Sequence, residues 1–169
     1  GIEAASGRFE LGVTDRWSGQ SQPWPIREED ECVLVFDGRP LLTGYVDSRS
    51  MSYSADSRSV SVSGRDRAGA LVDCSAVLDK WEFKNAPILT LARKIGKPFN
   101  VSVSAPDVLD ASARIDKLSI DPGDTAFVAL ERACRMVGLL PISDGLGGLV
   151  LTRPGSARAF TELVEGQNI

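Results

Sequence analysis

The sequence predicts a strand-rich α+β protein in two parts: an antiparallel β domain over residues 1–76 and an α/β domain with two main helices over residues 77–169. Three observations support this prediction. Apolar and polar residues alternate with period two through the first part, as in strands that bury one face. Helical spacing of apolar residues begins only near Pro87. Lysine is confined to the stretch from Lys80 to Lys117, so the composition changes near residue 77.

The bulk composition is that of a folded globular chain. It has 169 residues, of which 43% are hydrophobic and 25% charged. A chain of this size buries roughly 70% of its extended-chain surface on folding. The formal net charge of -4 argues against specific nucleic-acid binding, which needs a basic face to neutralise phosphates. No apolar run approaches the roughly 20 residues that span a bilayer, so no stable membrane insertion is predicted.

The first part is predicted to begin with a strand over residues 3–15. A turn-rich loop over residues 17–25 follows, and its two tryptophans are expected to pack as anchors at its ends. Residues 32–36 are a continuous apolar run, and an Asp-Gly pair at 37–38 comes directly after it. Because Asp-Gly between apolar runs is a strong hairpin signal, we expect residues 41–46 to fold back on the first run.

Serine alternates with other residues along the next two predicted strands, which a polar turn at 56–57 joins. Since successive side chains of a strand point to opposite faces, each strand has a serine face and a mixed face. We expect the serine face to be exposed to solvent or set against another subunit. The serines are Ser48, Ser50, Ser52, Ser54, Ser59, Ser61 and Ser63, and the mixed face is predicted to carry Tyr45, Met51, Tyr53, Val60 and Val62.

The second part contains the two predicted helices. The first has Pro87 in its first turn and ends at Gly96, since Pro98 forbids its continuation. The second has Asp124 as its N-cap and stops at Gly138. Their apolar residues recur at helical spacing: Ile88, Leu91, Ala92 and Ile95 in the first, then Phe127, Leu130, Cys134 and Val137 in the second.

Short strands complete the second part. They are predicted over residues 100–104, 118–121, 139–143, 149–152 and 160–164, with a small-residue linker at 106–114. The chain opens in a strand pattern without an initiator methionine and closes in another strand. We therefore expect it to be a piece of a longer protein.

No residue pattern points to a catalytic, cofactor or metal site. The absence of histidine excludes a Ser/His/Asp triad and any histidine-based metal site within the chain. The acidic run at residues 28–31 matches no calcium loop, and we interpret it as a solvated strand entry. Asp124 precedes Thr125 and Ala126 as in an aspartic protease, but we interpret it as a helix cap. Two acids that are distant in the sequence could still meet and cleave glycosides, although no spacing singles out a pair.

The three cysteines, Cys32, Cys74 and Cys134, are an odd and widely spaced set. We predict buried small hydrophobes in a reducing compartment rather than a disulfide framework. Cys74 is assigned to packing because no histidine is available to activate it. The glycines of residues 64–69 are predicted to form a turn, since a phosphate loop would need a Lys-Ser/Thr pair.

Motifs that carry a family resemblance run in order along nearly the whole chain. They are Pro25-Ile26-Arg27 before Asp30-Glu31-Cys32, Gly44-Tyr45-Val46-Asp47, SGRDRAGALVDCSA at 63–76, IDPGDTAFVALERACRMVGLLPISDGLGGLVLTR at 120–153, and VEGQNI at 164–169. In these stretches the sequence resembles the baseplate hub proteins of Mu-like contractile phage tails, in the broader family of late control D proteins. The resemblance implies that full hub proteins are longer at both ends.

The resemblance implies a homotrimer in the full-length protein. Each chain would contribute two related β-barrel-like domains, of which the first is the antiparallel domain, so that three chains form a pseudo-sixfold ring. Such a ring would join the tail tube to the central spike that penetrates the host envelope, as in the related VgrG proteins of type VI secretion. The protein would be made in the bacterial host cytoplasm, reside in the tail baseplate of the virion, and act without enzymatic activity or cofactors.

Two other functions stay open at this stage. One is a tail-associated cell-wall hydrolase, which the missing histidines disfavour. The other is a glycan- or receptor-binding tail module, for which we would expect exposed aromatic residues. The acidic balance also fits a channel that DNA crosses without sticking, because like charge disfavours phosphate binding.

Overall fold

The computed structural model describes residues 6–14, 25–53, 58–106 and 113–153. Its strands are β1 (Arg8–Thr14), β2 (Glu31–Phe36), β3 (Arg39–Tyr53), β4 (Arg58–Asp66), β5 (Glu82–Pro87), β6 (Val103–Ser104), β7 (Arg114–Ser119), β8 (Leu140–Ser143) and β9 (Leu149–Thr152). Its helices are α1 (Gly69–Asp73), α2 (Ile88–Gly96) and α3 (Ala126–Met136), with a 3-10 turn at Lys97–Phe99. The predicted strand-rich α+β class is confirmed, with α2 and α3 as the two main helices. The predictions for residues 17–24 and 160–164 lie outside the described residues.

The described residues within 6–66, which we call the sheet half, contain one antiparallel sheet with the strand order β1-β4-β3-β2. The hairpin of β2 and β3 turns at Asp37 and Gly38, whose φ angles of 49° and 73° suit a type I′ turn. This confirms the hairpin predicted from the Asp-Gly pair. Within the described residues β1 and β2 are unpaired sheet edges, so closure into a barrel stays a prediction.

A β-bulge at Asp47 divides β3 into two registers. Before the bulge Tyr45 lies opposite Arg65, and after it Ser48 lies opposite Ser63. Residues opposite each other in an antiparallel pair share a face, and Arg65 and Ser63 are two apart on β4. Tyr45 therefore lies on the serine side of the sheet, and its predicted place on the mixed face is wrong. The extra residue shifts the alternation by one position.

The described residues within 67–153, which we call the helical half, combine α1, α2 and α3 with two small sheets. β5 pairs with β7, while β8 and β9 form the predicted hairpin, to which β6 adds in parallel. The strand predicted at 100–104 is only Val103–Ser104 long, because Asn100 adopts the left-handed conformation after the 3-10 turn. The sequence pattern missed β5, whose residues EFKNAP include types depleted in strands.

Helix α3 is capped by Thr125, so the prediction of Asp124 as its N-cap is wrong. The Thr125 hydroxyl accepts a hydrogen bond from the backbone N–H of Val128 at 3.3 Å. Asp124 instead pairs with Arg132 across the first turns of the helix, at 3.1 Å. Gly138 follows the helix with φ 67°, which confirms it as the stop.

The larger hydrophobic core lies in the helical half. It encloses Leu71 of α1, Ile88 and Ile95 of α2, Leu130 of α3 and Leu151 of β9, all at most 1% exposed. In the sheet half, the buried cluster is Val46, Val60 and Val62, with Phe9, Ile26 and Cys32 packed at its margin. The domain boundary at residues 76 and 77 stays a prediction. No helix in the described part of the chain is long and apolar enough to cross a bilayer.

Candidate assembly surface and the junction beside it

Asp66, the last residue of β4, joins three segments at the junction of the two halves. The residue is buried, with 3% of its surface exposed. One oxygen accepts from the backbone N–H of Gly7 at 2.9 Å, and the other from that of Gly69 at 3.2 Å. A buried carboxylate is costly without donors, and these two amides supply them. The start of β1 and the start of α1 are thereby tied to the end of β4.

Arg65 points to the opposite side of the sheet and bridges two carboxylates. Its Nε donates to Asp47 at 2.7 Å and its Nη1 to Asp73 at 2.6 Å. Asp47 is the extra residue of the bulge, and Asp73 ends α1. Hydrogen bonds to these carboxylates raise the pKa of Arg65 above its usual value. The guanidinium therefore connects a strand of the sheet half with a helix of the helical half as a permanent cation.

Arg67 makes a second set of contacts from the junction. Its Nη2 pairs with Glu31 on β2, and its guanidinium carbon lies 5.8 Å from the centroid of the Tyr45 ring. Its backbone N–H donates to the carbonyl of Thr43 at 3.1 Å. The bulge makes the ring contact possible, since it places Tyr45 on the side of the sheet where Arg65 lies.

Two glycines allow the strands to approach closely beside the junction. A Cβ on Gly44 would overlap the backbone of Arg65 and Asp66. A Cβ on Gly64 would overlap the carbonyl of Tyr45 and the ring of Phe9. These positions need glycine for lack of space, and neither has a positive φ.

The predicted serine columns lie side by side. Ser48, Ser50 and Ser52 on β3 are opposite Ser63, Ser61 and Ser59 on β4. The hydroxyls of Ser48 and Ser63 are 2.8 Å apart, and Ser61 donates to Glu10 of β1 at 3.4 Å. The columns are exposed or half-buried, which agrees with the predicted exposure to solvent.

An apolar surface runs along the other edge of the sheet. We call Val33, Val35, Phe36 and Leu41 the apolar edge; their exposed fractions are 54%, 60%, 71% and 58%. The first three belong to β2, which pairs only with β3 in the described structure. Unpaired backbone beside exposed apolar side chains is a template for pairing with another strand. This edge is the part of the described surface best suited to assembly.

A cleft of about 520 Å³ separates the apolar edge from the helical half. Leu34, Leu41 and Leu42 of the sheet half line one side, and Ile142 and Gly145 of the β8–β9 hairpin line the other. Beside the cleft the two halves touch directly, since a Cβ on Gly145 would lie 2.7 Å from the carbonyl oxygen of Leu41.

The other predictions about chemistry have mixed outcomes. The acidic run at 28–31 is exposed, and its Glu31 pairs with Arg67. No group of three potential metal ligands occurs among the residues that the structure describes. Cys134 is buried as predicted, and burial raises its pKa to about 12. Cys74 is exposed, so its assignment to packing is wrong: its backbone, not its thiol, bonds to Ala126 and Ala70.

Sequence reasoning missed the roles of Arg65, Asp66 and Arg67. One signal in the sequence indicated that Asp66 is buried. Period-two alternation places it on the opposite face from Arg65 and therefore on the apolar face with Val60 and Val62. The carboxylates that meet the arginines lie 8 to 36 residues away, at the end of α1, at the bulge in β3 and on β2. No local pattern predicts those pairs.

Comparison with known proteins gives the class of the chain. A family model described as baseplate hub protein gp44-like, second domain, matches residues 68–153. A second, Mu phage baseplate assembly protein GpP-like, N-terminal, matches residues 1–66. The baseplate hub protein gp44 of Escherichia phage Mu is 36% identical over 174 residues, which cover 99% of this chain and 44% of that protein.

Solved structures agree with these matches. The 43 kDa tail protein of prophage MuSo2 from Shewanella oneidensis has a TM-score of 0.79 at 33% identity, over 98% of this chain and 50% of that one. A tail protein from Neisseria meningitidis has a TM-score of 0.72 at 30% identity, over 87% of this chain and 42% of that one. Prophage tail protein gp18 from Listeria monocytogenes shares the fold. Its TM-score is 0.54 at 14% identity, over 90% of this chain and 42% of that one.

The fold and these matches define a protein of the phage tail baseplate class. The chain belongs to the gp44-like family of Mu-type baseplate hub proteins. This confirms the predicted Mu-like baseplate hub family. The chain spans about half the length of the relatives that it matches.

Proposed function

We propose that this chain is part of a homotrimeric hub that joins the tail tube to the central spike during penetration of the host envelope. Its surface would supply contacts between subunits and to the neighbouring tube and spike proteins. The family is named for a baseplate hub, and the proposal extends that role to particular partners and to a copy number.

The apolar edge is the observation that carries this proposal. Within the described residues β1 and β2 are the two unpaired edges of the sheet, and they run antiparallel to each other. The β1 edge of one copy can therefore pair with the β2 edge of the next without breaking the antiparallel pattern. Such a contact uses two different surfaces, and it closes into a ring when the rotation between copies permits.

We also propose that the role is structural and not enzymatic. A joining piece requires interfaces, and the apolar edge and the serine columns are broad surfaces of that kind. The sequence offers no histidine as a general base or nucleophile partner. The net charge of -4 fits a wall that DNA passes without binding. A wider relation to late control D and VgrG proteins belongs to this proposal too.

The oligomeric state of the full-length protein tests the proposal. Light scattering after size exclusion should give a trimer. Replacing Val33 and Val35 together by lysine should shift the protein towards monomer, because charges on an edge strand oppose pairing. Val77→Lys is the matched control, since Val77 is 62% exposed outside this edge. A trimer that persists when Val33 and Val35 are both lysine would show that β2 is not in the interface.

Purified full-length protein should also be tested for cleavage of peptidoglycan and for binding to glycans. We expect no release of soluble fragments and no saturable glycan binding. A monomer that cleaves peptidoglycan would overturn the structural proposal in favour of a tail-associated hydrolase.

A further inference from the structure

The two halves are connected by few contacts near their covalent link. The chain passes from β4 to α1 through Arg67 and Ala68, and the cleft of about 520 Å³ lies on one side of that link. Domains of one chain move relative to each other unless a large hydrophobic interface prevents it. Besides the contact of the β8–β9 turn with the backbone of Leu41, the angle between the halves therefore depends on the polar contacts at the junction.

Arg65 is placed to control that angle. It extends from the end of β4, and its guanidinium holds Asp47 of the sheet half and Asp73 of the helical half at once. A Cβ built on Gly69 would lie 3.6 Å from the Arg65 Cβ, so the stem of Arg65 runs beside the start of α1. Rotation about the link would separate Asp47 from Asp73 and break at least one pair.

Arg67 restrains the same rotation from another direction. Its guanidinium meets Glu31 and Tyr45 of the sheet half. A Cβ built on Gly147 would lie 3.5 Å from the Arg67 Cβ, which places the β8–β9 turn against its stem. Arg67 thus touches the sheet half with its charged end and the helical half with its stem.

We propose that Arg65 and Arg67 form an electrostatic latch that holds the two halves of this chain at one angle. The pairs are partly exposed, with Arg65 30% and Arg67 21% accessible, and pairs of this kind add little to folding stability. Releasing the latch is therefore expected to change the angle between the halves and the width of the cleft. Both halves should stay folded. The proposal does not depend on the trimer.

Residual dipolar couplings of backbone amides test the latch in the 169-residue chain, which at 18.1 kDa suits solution NMR. Couplings measured in a neutral stretched gel are fitted separately for residues 6–66 and 69–153. In the native chain one alignment tensor should fit both halves. In the Arg65→Ala, Arg67→Ala double variant the two fitted tensors should differ in magnitude and orientation, with amide spectra still dispersed.

Arg135→Ala is the matched control, because it removes an exposed arginine pair with Glu131 inside α3, away from the junction. It should leave one shared tensor. If the double variant fails to fold, the Glu31→Gln, Asp73→Asn double variant replaces it, because it removes the exposed carboxylate partners and leaves both arginine stems in place. A shared tensor that persists in either folded double variant would overturn the latch.

Discussion

The two halves of the chain reach very different degrees of burial. Among the residues that the structure describes, the core cluster of the helical half contains twenty buried residues, whereas that of the sheet half contains three. The difference shows that one sheet face with open edges is an incomplete unit. Its remaining apolar surface is available to other chains, as the proposed assembly requires.

Truncating a buried side chain in either core is expected to cause the largest loss in the free energy of unfolding. Leu130→Ala should lower the free energy of unfolding by about 2–5 kcal/mol, because Leu130 is fully buried among α2 and α3. Val62→Ala in the sheet half should cost about 1–2 kcal/mol. Native-state hydrogen exchange can read the two halves separately. Val128→Ala, at a 40% exposed position of α3, is the control. Equal losses at Leu130 and Val62 would contradict the contrast between the cores.

The second prediction concerns the close approach of the strand backbones in the sheet half, where the core is small. We expect this approach to contribute to stability. Gly44→Ala should destabilise by roughly 1–3 kcal/mol, because its methyl group overlaps the backbone of β4. Gly12→Ala is the matched change, since nothing lies within 4 Å of a Cβ there. Urea unfolding of both variants measures the difference. If Gly44→Ala were as stable as Gly12→Ala, the strand spacing at the bulge would have to be wider than described.

A smaller effect concerns the start of α3 in the helical half. Thr125→Ala should cost about 1 kcal/mol, because it removes the hydroxyl that accepts from Val128 N–H. Thr125→Ser keeps that hydroxyl and should retain most of the stability. Thermal unfolding by circular dichroism distinguishes the pair. Loss in both variants to the same extent would mean that the methyl group, and not the cap, matters.

The smallest effect uses the cysteines as reporters. Burial raises the pKa of Cys134 in the helical half to about 12, above the ordinary value of 9.0. Because the fold favours the protonated thiol, the associated stability is complete below pH 9.0 and is lost as pH rises through about 12. Near pH 8 a disulfide reagent should therefore modify exposed Cys74 at once and Cys134 only after unfolding. Burial also raises the pKa of Cys32, so this thiol should react more slowly than Cys74.

Thiol counts at increasing urea provide the control for that experiment. Cys32 should become reactive at lower urea than Cys134 if the sheet half opens first. Simultaneous exposure of both thiols would show that the halves unfold as one unit.

Local patterns in the sequence were sufficient for much of the fold. Period-two alternation predicted the serine hairpin, Asp-Gly predicted the β2–β3 turn, and helical spacing predicted α2 and α3. These signals act over a few neighbouring residues, through backbone dihedrals and side-chain direction, so no tertiary information is needed to read them. The family resemblance followed from the order of such stretches.

Only the tertiary structure decided how the stretches meet. The bulge at Asp47 moved Tyr45 to the serine side, and a contact between Ser75 and Thr125 places the start of α3 where Thr125 caps it. The pair of Arg65 with Asp47 depends on which strands become neighbours, and its pair with Asp73 depends on where α1 lies beside the end of β4. Strand register and long-range ion pairs are set by the packing of the whole chain, because each possible pairing is locally equivalent until the core selects one.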